Sequence, residues 1–261
     1  YLQEMIWPLN LKLSFVNKVR TKIDNWKNMN QNSHMELSEL LVVAEQAGRS
    51  LIASAEKDLD AIVPTCPEWN NLELLNHMKM VWWFGASQIN AGNENERAVP
   101  SDEMKNSPLE QLENLLNEFQ DNDFSSPCWS WTTNKTVGFW VRRMAHENTV
   151  HNWDTEGTLN TRSSISTLLA LDGIEEKLFM FRTDADFPNA SIHLHCTDCE
   201  GEWMLASSDG ELEIKREHGK GDAAVRGRAE DILLYLWGRG QENLECFGDE
   251  EIINTWARIG P

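Results

Sequence analysis

The chain has 261 residues, is 41% hydrophobic and carries a formal net charge of −19 at pH 7. That length suits one large domain or two of ordinary size. The negative balance disfavours nucleic acid and anionic membrane as partners, because both need basic surface. Five irregularly spaced cysteines and no visible secretory signal or long apolar run point to a cytoplasmic protein.

Residues 1–34 stand apart, with Lys12, Lys18, Arg20, Lys22 and Lys27 set against only Glu4 and Asp24. They read as an extension or tail outside the fold. The rival reading is a docking helix packed through Ile6, Leu11 and Phe15. A first amphipathic helix then covers 36–57. Val63-Pro-Thr-Cys-Pro-Glu-Trp-Asn70 forms a rigid turn, since each proline restricts the residue before it, and Asn70 or Asn71 can cap the next helix. That second helix spans about 71–90, with Leu74, His77, Met78 and Val81 on one face.

Residues 91–106 form a polar loop. Ser107-Pro108-Leu109-Glu110 is a capping box with proline at the first helical position, and Leu109, Leu112, Leu116 and Phe119 continue a third helix. A loop bearing Trp129 and Trp131 leads to a fourth helix, about 137–156. Four helices with one deep apolar face each predict a four-helix bundle over 35–157.

The fourth helix carries the candidate chemistry. Steps of four and three trace Trp140, Met144, Glu147, His151 and Asp154 along one inward stripe. Burying the last three is costly unless something binds them. Glu147 and His151 lie one turn apart, and His77 would face them from the second helix. Two histidines and a carboxylate are the donor set of a catalytic zinc site with an open position. Fe²⁺, Ni²⁺ or Mn²⁺ would also suit them, and a helix whose His and Glu pair with surface groups is the bland alternative. Asp154 is placed to orient a ligand or meet a substrate. His146 and His151 are five apart, about 140° around a helix, so a His-Glu-x-x-His protease site is disfavoured.

Gly157 to Ser164 is a polar link, and 165–258 changes character. A helix over 166–182, open to a break at Asp172-Gly173, precedes strands near 190–197, 202–207, 211–218 and 224–227. A helix at 228–238 and a short one capped by Asp249 and ending near Arg258 complete an α+β domain with a small antiparallel sheet. His193, His195, Cys196 and Cys199 invite a metal or redox reading. Alternation puts both histidines opposite Cys196, and no second cysteine pair stands at zinc-ribbon spacing, so the motif is weak.

The Val63 to Trp69 turn, the His77 helix and the block Phe139-Trp-Val-Arg-Arg-Met-Ala-His-Glu-Asn-Thr-Val-His-Asn-Trp-Asp154 resemble the mycothiol-dependent maleylpyruvate isomerase family, part of the wider DinB-like metal-binding bundles. Asp198 to Trp203, Val225 to Arg239 and Phe247-Gly-Asp249 are similar to its C-terminal domain. The resemblance covers about 36–258. It implies a divalent metal, usually zinc, on His77, Glu147 and His151, and mycothiol or a similar small thiol as cofactor. It also implies a C-terminal arginine completing the site, matched by Arg239 with Arg226 in reserve. The implied reaction is reversible addition of the thiolate to a cis double bond next to a carbonyl, rotation about the resulting single bond, and loss of the thiolate to give the trans isomer. Thiol transfer to a small electrophile is the variant, and hydrolysis or simple ligand binding on the same residues are the alternatives. A small-molecule substrate and a monomer are expected.

Overall fold

A computed structural model describes residues 35–98, 107–180, 187–209 and 211–257. The expectations for 1–34, and for the end of the last helix at Arg258, lie outside these residues.

Helices α1 (Leu37–Ala55), α2 (Asn71–Ala91), α3 (Pro108–Asp121) and α4 (Val137–Thr158) make a helical N-terminal half. Their starts obey the sequence signals. Asn70 and Ser107 each accept from the backbone N–H three residues on, and Glu73 and Glu110 close the reciprocal bond. Thr136 caps α4. α1 lies along α4 and α2 along α3, with Trp82, Met78, Leu112 and Trp140 buried between them. No helix of the described residues is long and apolar enough to cross a membrane.

Helix α5 (Thr167–Met180) runs unbroken through Asp172-Gly173. Gly173 serves packing instead: a Cβ there would lie 2.9 Å from both the His146 ring and Leu233. The sheet comprises β1 (Ser191–Cys196), β2 (Glu202–Ser208), β3 (Glu211–Lys215), β4 (Ala223–Gly227) and β5 (Glu245–Gly248) in the order β3-β2-β1-β4-β5. Helix α6 (Ala229–Leu236) comes after β4, and α7 (Glu250–Trp256) after β5.

The sheet corrects the expected all-antiparallel arrangement. β1 and β4 run parallel, so it is mixed. After β3 the chain crosses the sheet and enters β4 on the far side of β1, in the same direction. Local alternation cannot report that, because strand direction is set by the long-range partner. β5 escaped the pattern for another reason: Glu-Cys-Phe-Gly is exposed along its whole length at the sheet edge, so no buried face marks it.

Candidate metal centre

Helix α4 is buried almost all round. Arg143, Glu147, His151 and Asp154 are 1%, 5%, 6% and 0% exposed. His77, half-buried on α2, meets His151 edge to face with ring centroids 5.3 Å apart. One donor atom from each of His77, Glu147 and His151 falls within 4.8 Å of the others.

Each member is held by a neighbour. The Val63–Trp69 turn closes on itself, with Val63 N–H donating to the Trp69 carbonyl at 2.9 Å. It sets the Trp69 ring 5.1 Å from His77 and lets the Thr65 hydroxyl donate to Asp154 Oδ1 at 2.6 Å. Asp154 Oδ2 lies 3.0 Å from His151 Nδ1, which leaves Nε2 facing Glu147 Oε2 at 3.3 Å. The other Glu147 oxygen takes a short hydrogen bond from Arg143, whose second nitrogen reaches Glu176 on α5 at 3.1–3.2 Å.

Arg239 arrives from the C-terminal half. Gly238 and Gly240, at φ +72° and +106°, reverse the chain around it after α6. Its guanidinium then grips Asp154 with Nε on Oδ1 at 3.2 Å and Nη2 on Oδ2 at 2.6 Å. Three basic side chains crowd Trp237: Lys177, Arg143 and Arg239 sit 4.7, 4.8 and 5.9 Å from its ring centre.

The electrostatics arise from burial and these pairs. Burial disfavours charge on His77, and His151 adds to this, so its pKa falls to about 4 and the ring is neutral. Burial opposes ionisation of Glu147 and Asp154, but Arg143 beside the first and Arg239 beside the second hold both well below the usual carboxylate range. Burial also works against charge on His151, yet its hydrogen bonds to Asp154 and Glu147 raise it. Lys177 is brought down to about 7 by burial, with Arg143 adding to the effect.

The donor set fits a divalent metal. The His77 ring nitrogens have no hydrogen-bond partner among the described residues, and a neutral imidazole is the ligand form. His151 with Asp154 behind it is the carboxylate–histidine arrangement that orients a ligand nitrogen toward an ion.

Residues 42–156 match the family model of the mycothiol maleylpyruvate isomerase N-terminal domain. The helical half belongs to this family. The matched stretch holds His77, Glu147, His151 and Asp154. No curated protein matches the chain by sequence. Among solved structures, the chain is similar to a crystal structure of the mycothiol-dependent maleylpyruvate isomerase, with TM-score 0.58 and 12% identity over 81% of this chain and 93% of that one. A histidine-to-alanine mutant of that enzyme gives TM-score 0.57 at the same identity and coverage. At such identity these two structures speak for the fold shared with the family.

The two candidate arginines separate. Arg239 joins the His151–Asp154 pair, whereas Arg226 forms an exposed ion pair with Glu245 across β4 and β5 at 2.7 Å. His146 turns to α5 and meets Asp172 at 2.7 Å. Sequence reasoning missed Arg143, Thr65, Glu176 and Lys177. Arg143 had a signal, since it stands four residues before Glu147 on the same face. Thr65 had none beyond its place between two prolines.

Proposed function

We propose that the chain is a metal-dependent enzyme that uses mycothiol or a similar small thiol on a small electrophile. The preferred reaction is cis–trans isomerisation of a maleylpyruvate-like substrate, with thiol transfer as its variant. One observation carries this reading. The helical half of that family brings His77, Glu147 and His151 within ligand reach of one another, and Arg239 of the other half is tied to them through Asp154.

His77, Glu147 and His151 would hold the ion, and zinc is the metal that best suits this donor set. A bound zinc ion lowers the pKa of a thiol placed at its open position. The remaining work falls to side chains. Asp154 keeps His151 in the tautomer that presents Nε2 to the site. Arg143 neutralises Glu147 and fixes its rotamer. Arg239 spends two donors on Asp154 and one on the Trp237 carbonyl, and offers the rest to a substrate carboxylate or a developing enolate oxygen. A cleft of about 360 Å³ beside Thr65 and Arg239, lined also by Pro64, Trp153, Arg162 and Gln241, provides space for a small thiol and its substrate. A larger neighbouring cleft of about 480 Å³ is lined by Arg226 and Arg228, and neither cleft is lined by the three donors. The smaller one holds Thr65 and Arg239, both bonded to Asp154 beside His151, so we assign the chemistry to it.

The test is turnover of maleylpyruvate by zinc-loaded protein with and without mycothiol. The trans product is expected only with thiol present. Conversion without thiol would point to hydrolysis by the same donors, and thiol binding without turnover would leave a ligand-binding module.

A further inference from the structure

The outer face of the sheet holds a second group of donors. His193 and His195 are two apart on β1, so both project from the face opposite Ile192, Leu194 and Cys196. Glu202 opens β2 directly across from His195 and shares that face. The segment after β3 then crosses over these strands. Its path is close, since a Cβ on Gly219 would lie 2.8 Å from Met204 and one on Gly221 would lie 3.1 Å from the His193 backbone nitrogen. This crossing delivers His218. The result is His195 Nδ1 at 2.5 Å and His218 Nδ1 at 3.0 Å from the two Glu202 oxygens, and His193 Nε2 at 3.8 Å. One donor from each of the four residues falls within 4.8 Å of the rest.

Hydrogen bonding alone leaves the cluster incomplete. Glu202 accepts from His195 and His218, but His193, only 7% exposed, has its Nε2 buried with no partner. Leaving a buried polar atom of this kind unpaired is unfavourable. It faces the carboxylate from just beyond hydrogen-bond range, and the His193 and His218 ring centres lie 5.1 Å apart. Arg226, the cation beside His195 on this face, is turned to Glu245 and leaves the carboxylate to the imidazoles.

We infer that His193, His195, Glu202 and His218 form a second, structural zinc site that clamps the 216–222 crossing segment onto the sheet. Three imidazoles and one carboxylate are a complete tetrahedral set for Zn²⁺, with no open position for catalysis. Donors 2.0–2.2 Å from an ion stand about 3.4 Å apart, so the His195 and His218 contacts to Glu202 must open slightly and the wider gaps, all within 4.8 Å, must close by up to about 1.4 Å. His218, exposed and carried by the crossing segment, supplies that movement.

The test counts zinc retained by the full-length, untagged chain after dialysis at micromolar free zinc. Wild type is expected to hold two ions, and His218→Ala and Glu202→Gln one each. His151→Ala is also expected to hold one, and His151→Ala/His218→Ala none. Zinc is further expected to raise the Tm of His151→Ala but not of the double variant, because an ion that binds only the folded chain stabilises it. His218 is exposed, so its removal leaves the fold intact. Equal zinc in wild type, His218→Ala and Glu202→Gln would overturn the inference. A wild type with one ion that His218→Ala loses would support it while removing the metal from the bundle.

Discussion

Asp154 shows how single atoms are committed in this molecule. Its two oxygens serve the His151 ring, the Thr65 hydroxyl and a two-pronged contact from Arg239. Asp154→Asn removes the charge while keeping the shape. It leaves the Arg239 guanidinium buried beside a neutral amide, which should cost about 3–5 kcal/mol of stability in urea unfolding. Metal affinity in a chelator competition should fall about 10–100-fold, because His151 loses the partner that orients it. Arg239→Lys keeps the charge but replaces the fork with a point donor. It should bind zinc as wild type does and lose about 10²–10³ in kcat, as removal of one preorganised donor does. The spacing of Glu147, His151 and Asp154 made this stripe legible in the sequence. Arg239 was reachable only through resemblance, because nothing in its local pattern says which helix its turn will face.

Helix α4 is the element on which both halves rest. Toward α1 and α2 it presents Asn148, whose amide accepts from Trp82 Nε1 at 2.8 Å and donates to the Ala44 carbonyl at 2.7 Å. The approach is tight, since a Cβ on Gly48 would stand 2.9 Å from that amide nitrogen. Asn148→Ala strands both partners in a buried interface and should cost about 2–4 kcal/mol, read as a lowered urea midpoint at unchanged slope. Toward α5 it presents Arg142, Arg143 and His146 to Asp172 and Glu176. A helix that buries charged groups on several sides has no clean apolar stripe. The face it turns to α5 therefore left no periodic signal in the sequence beside the stripe from Trp140 to Asp154. The helix starts were legible because caps are local chemistry. The parallel pairing of β1 with β4 was not, because it depends on a partner some thirty residues away.

Lys177 on α5 tests that interface by pH. It is 3% exposed beside Trp237, and Arg143, Glu176, Glu147 and Arg239 are the charges that act on it. Burial takes its pKa from 10.5 to about 7. The unfolded chain therefore holds a proton that the folded chain releases between these values, so stability rises with pH across that window and the full penalty stands below it. Lys177→Met should raise the Tm at pH 6.5, each kcal/mol being worth about 2–4 °C in a chain of this size. The gain should shrink toward pH 10. A gain that is the same at both pH values would show that the lysine is not neutral in the folded protein.

At the scale of the whole molecule, polar contacts tie the halves together. Asp154 with Arg239 and Glu176 with Arg143 cross between them, and both lead to the donors His77, Glu147 and His151. Stripping metal from the wild type with a chelator should therefore lower the Tm and loosen the turn that holds Arg239. A calorimetric titration of mycothiol into zinc-loaded and chelator-stripped protein tests the joint role of metal and thiol head-on. Saturable one-to-one binding is expected to the loaded form, and its loss is expected in the stripped form and in His151→Ala. Equal binding to the loaded and stripped forms, or none to the loaded form, would contradict a metal-held thiol.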